Sequence, residues 1–122
     1  MVEISDEAFQ ALIDQSLTEL PGDHVKNIRN VAILYEYYPT EQQRQVSNLR
    51  PNQTLLGLYE GIPLSQRQGM TTLLPDKITL FKGPLCAIAK NQDDLKEQIK
   101  HTLWHEIAHY YGLNHDQIRD LE

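Results

Sequence analysis

The run His105-Glu106-Ile107-Ala108-His109, with Gly112 and His115 behind it, constrains this chain more than any other feature. Two histidines four residues apart meet on one ion only in a helix, which stacks positions i and i+4 on one face. The motif therefore predicts a helix, and Gly112 is the residue type that closes one in a left-handed turn. Such a turn brings His115 back toward the pair. Hydrolytic zinc chemistry uses three protein donors and one open position. That makes His105, His109 and His115 the expected donors for one zinc ion per chain, with no third protein donor, or Asp116 in that place, as the alternatives. Glu106 lies about 100° round the helix from His105. It is badly placed to join the ligand pair and well placed to act on the water as general base.

The residues upstream support a long helix over 92–111. Asn91 is an N-cap type, and Asp93 and Asp94 put negative charge in the first turn, where the helix dipole favours it. Leu95, Ile99, Leu103, Ile107 and Tyr110 fall within an arc of about 120°, the expected core face. His105 and His109 sit to one side of that arc, at the border between core and solvent. His101, one turn earlier, shares that side; it reads as exposed, with polarisation of a substrate carbonyl as the alternative.

Elsewhere, Ser5-Asp6-Glu7 opens a helix carrying Phe9, Leu12, Ile13, Leu17 and Leu20 until Pro21-Gly22 stops it. Three segments read as strands: 31–37, 54–60 ending at Gly61, and 77–82 ending at Gly83-Pro84. Residues 40–52 read as a loop or a frayed helical turn. Residues 62–75, punctuated by Pro63, Gly69 and Pro75, read as a long loop of the kind that often carries function.

One hundred and twenty-two residues suit a single domain spanning 1–122. A net charge of −6 argues against a nucleic-acid or anionic-membrane partner, since both need a basic face. No apolar run is long enough to span a membrane. Cys86 is the only cysteine, so no internal disulfide forms, and it reads as a small buried filler. The opening Met1-Val2-Glu3-Ile4-Ser5-Asp6 lacks the basic and apolar regions of a signal peptide, which makes the cytoplasm the expected location.

With these residues in view, the chain resembles the small bacterial zincin-like metallopeptidases. The resemblance runs through the leading helix, the segment Leu55-Leu56-Gly57-Leu58-Tyr59-Glu60-Gly61-Ile62-Pro63-Leu64, the segment Asp76-Lys77-Ile78-Thr79-Leu80-Phe81-Lys82-Gly83-Pro84, and the helix from His101 to Gly112. It implies an α+β fold, a minimal zincin-like domain with a small mixed β-sheet against an N-terminal helix and a C-terminal active-site helix. It also implies hydrolysis of a peptide or protein substrate. Relatives often carry an acidic residue at the place of His115. The larger metzincins continue into a methionine-containing turn under the metal, whereas Met1 and Met70 are the only methionines here and both precede the motif.

Secondary candidates follow from residue type. Tyr59, Tyr110 and Tyr111 are possible oxyanion donors, with core packing the simpler reading for Tyr110. Arg67 is a possible anchor for a substrate carboxylate, with a solvated side chain the simpler reading. Tyr35, Tyr37 and Tyr38 suggest a binding surface, although strand alternation accounts for Tyr35 and Tyr37. His24 reads as a surface residue. Two rival functions stand beside the peptidase. The H-x₃-H-x₅-H spacing also occurs in a small bacterial ribosomal-RNA maturation family, but without glutamate after the first histidine. The missing methionine turn leaves room for a non-catalytic, metal-binding interaction module.

Overall fold

The computed structural model describes residues 2–20, 31–47, 54–61 and 76–110. Helix α1 (Asp6–Glu19) starts where expected: Ser5 Oγ accepts the Ala8 N–H, and Asp6 and Glu7 occupy the first turn. Strand β1 (Val31–Glu36) follows, then helix α2 (Glu41–Val46), strands β2 (Gly57–Glu60) and β3 (Asp76–Phe81), helix α3 (Lys82–Ile88) and helix α4 (Gln92–Tyr110).

The strands form one mixed sheet in the order β1-β3-β2, with β1 parallel and β2 antiparallel to β3. Central β3 sends Ile78 and Leu80 into the core, and both are fully buried. Phe9 and Ile13 of α1, Leu85 of α3, and Leu95, Ile99, Leu103 and Ile107 of α4 complete it. Four of the five residues expected on the core face of α4 have no exposed surface, and Tyr110 is nearly as buried. Each such aliphatic side chain contributes roughly 1.5–3 kcal/mol by leaving water. The architecture is α+β, a small three-stranded mixed sheet with helices packed on it.

Several boundaries depart from the sequence reading. The second strand begins at Gly57 rather than residue 54, and the third ends at Phe81. Residues 41–46 are helical because Thr40 and Gln43 form a reciprocal capping box, which satisfies two main-chain donors at once. Gly83-Pro84 does not simply terminate β3; it lies in the first turn of α3. Proline is tolerated there because the first-turn N–H groups have no partner within the helix. Gly83 is needed because the Tyr38 ring and Tyr37 main chain lie where a Cβ would go, and its N–H donates to Tyr37 O at 2.8 Å. No helix among the described residues is long and apolar enough to cross a membrane. The loop 62–75 with Arg67, and His24, lie outside the described residues.

Candidate metal and catalytic centre on helix α4

Helix α4 carries the candidate centre and is held at its start as the sequence predicts. Asn91 Oδ1 accepts the Asp94 N–H at 2.8 Å, and Asn91 O accepts that of Leu95 at 2.9 Å. With the Leu95–Ile107 stripe locked into the core, the helix cannot rotate, so the face bearing the histidines is fixed at the rim.

His105 and His109 are brought together there, with ring centroids 5.0 Å apart and ring planes 73° apart. A zinc ion at ~2.0–2.1 Å from one nitrogen of each ring, at a near-tetrahedral angle, puts the centroids about 5 Å apart. The pair therefore fits a shared ion in both donor chemistry and spacing. His101 does not join it: its ring is exposed and its centroid lies 6.2 Å from that of His105, wider than a tetrahedral pair requires. Among the described residues no three His, Cys, Asp or Glu side chains converge as a metal site. His115, Asp116, Gly112 and Tyr111 lie outside the described residues.

Glu106 lies beside the pair and turns inward from the rim. Its side chain is 8% exposed, against 38% for that of His109. A buried carboxylate needs donors, and Glu106 has two, both on Oε1. The Tyr59 main-chain N–H donates at 2.8 Å, and His109 Nδ1 lies at 3.2 Å. The hydrogen bond to Glu106 pushes the His109 pKa above the ordinary imidazole value, against the opposing effect of burial. Glu106 thus touches His109 of the pair with the same oxygen that anchors it to the sheet.

Tyr59 is tied down at its other end too. Its hydroxyl lies 2.7 Å from Asp76 Oδ2 and donates to it, and its ring meets Tyr110 edge-on at 6.2 Å. Tyr59 is therefore engaged as a strut between sheet and helix, its hydroxyl committed to Asp76. Tyr110 is core, as its simpler reading had it. Sequence reasoning did not single out Asp76 or the Tyr59 main chain. Asp76 sits at the start of a strand, where a carboxylate ordinarily signals a solvated end, and a backbone N–H leaves no mark in a sequence.

Cys86 is buried, and burial raises its thiol pKa, which suits a filler and not a nucleophile. Tyr37 and Tyr38 are exposed, but Tyr35 packs edge-on against Phe9 and belongs with the core.

No curated protein matches the sequence. A solved structure, that of a conserved hypothetical protein from Thermus thermophilus, is similar with a TM-score of 0.57 at 22% identity, covering 88% of this chain and 94% of that one. At that identity the likeness concerns the fold. Residues 28–122, which include the whole sheet and helix α4, match the family model for zincin-like metallopeptidases. This chain belongs to the zincin-like metallopeptidase family.

Proposed function

We propose that the protein is a zinc-dependent peptidase in which His105 and His109, with His115 as third donor, hold one zinc ion and Glu106 is the general base. The observation that carries this reading is the imidazole pair 5.0 Å apart on a rotationally locked helix, beside a buried and hydrogen-bonded carboxylate. A bound zinc ion lowers the pKa of a water toward ~7 and polarises a scissile carbonyl. The two imidazoles orient the reacting groups at the rim of the core. Glu106 takes the proton from the attacking water and returns it to the nitrogen of the leaving amine. Its burial and its hydrogen bond to the Tyr59 main chain favour that role, because they hold the carboxylate in one position for the transfer.

The partner on this reading is a peptide or protein, and the net charge of −6 supports it over a polyphosphate. The single, buried cysteine supports a cytoplasmic location.

The test pairs metal analysis with two digests. Zinc-loaded protein is incubated with a denatured mixed proteome and with total RNA, each with and without chelator, beside Glu106→Gln. The expected result is chelator-sensitive peptides, reduced about 10²–10⁴-fold in Glu106→Gln, with zinc content retained in that variant and lost in His105→Ala and His109→Ala. Full cleavage by Glu106→Gln excludes it as base. RNA fragments in place of peptides overturn the peptidase. Zinc bound with neither product formed supports the non-catalytic module.

A further inference from the structure

We propose that the main-chain N–H of Tyr59 is the positioning group of Glu106: it pins Oε1 to the edge of β2 and leaves Oε2 as the oxygen that carries the proton. The inference rests on the peptidase reading of the same site and assigns the two carboxylate oxygens different work.

The parity of the ladder makes this N–H available. Bonded and non-bonded residue pairs alternate along an antiparallel pair of strands. Phe81 N donates to Leu56 O at 2.9 Å, which makes Leu56–Phe81 a bonded pair. Counting along the register, Leu58–Thr79 and Glu60–Lys77 are bonded pairs as well, while Gly57–Leu80 and Tyr59–Ile78 are not. The Tyr59 N–H therefore points away from β3, out of the sheet. It can serve a side chain at no cost to the sheet, and Glu106 reaches it across 47 positions of sequence.

The anchor is itself rigid. The Tyr59 hydroxyl is held by Asp76 Oδ2, the ring by Tyr110, and the next strand residue, Glu60, pairs with β3. Both hydrogen bonds to Glu106 end on Oε1. A carboxylate fixed through one oxygen loses the rotational freedom of a long side chain. Its second oxygen is then presented in one direction, which is what proton transfer at a fixed distance needs.

Two substitutions separate the N–H from the rest of the residue. Tyr59→Ala and Tyr59→Pro both lose the ring and hydroxyl, and only the proline loses the N–H. Because that N–H makes no bond to β3, proline here costs the ladder nothing. An amide-to-ester replacement at position 59 that keeps the tyrosine side chain serves if the proline variant does not fold. The expected result, measured on full-length zinc-loaded protein with a denatured polypeptide, is a kcat up to about a hundredfold lower in Tyr59→Pro than in Tyr59→Ala, with KM and zinc content alike. The ester variant shows the same loss against wild type. Equal kcat in the alanine and proline variants, or an ester variant as fast as wild type, overturns the proposal and leaves the peptidase reading intact.

A second measurement does not depend on turnover. The Tyr59 amide proton, bonded to a carboxylate, is expected far downfield in the proton–nitrogen NMR spectrum and upfield of that in Glu106→Ala. A Tyr59 resonance that does not move in Glu106→Ala overturns the anchor whatever the enzyme cleaves. A shift as expected in a protein that cleaves nothing supports the anchor and sinks the peptidase reading instead.

Discussion

Gly61, read from the sequence only as a strand stop, is required for a more specific reason. Its φ is +155°, and an added Cβ would meet the Asp76 carboxylate, the group that receives the Tyr59 hydroxyl. Gly61→Ala therefore strains the backbone and displaces Asp76. It should cost about 1–3 kcal/mol, seen as a lower urea midpoint at unchanged slope. A midpoint equal to that of wild type would show that Asp76 is not held against this turn. The histidines behave differently at this scale. Their spacing is local, a single helical turn, so the sequence alone placed His105 and His109 side by side. The direction of Glu106 was legible only as an angle, because its partners, Tyr59 above all, come from another element.

Among the elements, helix α4 was the most legible. A nineteen-residue helix repeats its apolar stripe often enough to define one face, and Asn91 marks its start. Asn91→Ala leaves the Asp94 N–H without its side-chain acceptor and should destabilise by about 1 kcal/mol, read as a lower thermal midpoint, whereas Asn91→Asp should keep most of the stability. If alanine and aspartate melt alike, the cap contributes nothing measurable. Helices α2 and α3 were harder to see, at six and seven residues, because less than two turns cannot establish a helical period. The cue for α2 was present all the same, in the Thr40-x-x-Gln43 spacing of a capping box. For α3 the cue pointed the wrong way: Gly83-Pro84 is the dipeptide of a turn, and only the tyrosines packed over Gly83 make it a helix start.

At the scale of the whole molecule, α1 and α3 are joined by a charge pair. Lys82 Nζ lies 2.7 Å from Asp6 Oδ1, and the Tyr37 hydroxyl lies 2.9 Å from the same oxygen and donates to it. The Lys82 side chain is only 7% exposed, and its ammonium sits over the Tyr37 ring, 5.1 Å from the centroid. Burial alone pulls the Lys82 pKa down, but the hydrogen bond and charge of Asp6 outweigh it and the net direction is up. Asp6 moves down, first through the Lys82 hydrogen bond and then through Tyr37. A carboxylate with a lowered folded pKa contributes stability that is fully present above its unfolded value of ~3.9 and is lost as pH falls through the folded value. Asp6→Asn should accordingly be less stable than wild type at neutral pH, because it leaves a buried ammonium without its counter-charge. The difference should shrink steadily below about pH 4. Denaturant titrations at pH 7 and pH 3 check this, and a gap that persists undiminished at pH 3 rules out the charge pair as its source.

What the sequence determined by itself was local and periodic: the core stripe of α4, its cap, the histidine pair on one face, and the segments that became strands. Each follows from spacings of a few residues, where helix and strand geometry alone dictate which side chains share a face. The tertiary structure decided where the burial boundary falls and what meets across it. It put the Lys82 ammonium over the Tyr37 ring, set Asp76 behind Tyr59, and brought an outward-pointing N–H of β2 onto the Glu106 carboxylate. Those contacts depend on how a helix seats on a sheet and on the parity of strand pairing. Neither is written in the periodicity of any one segment.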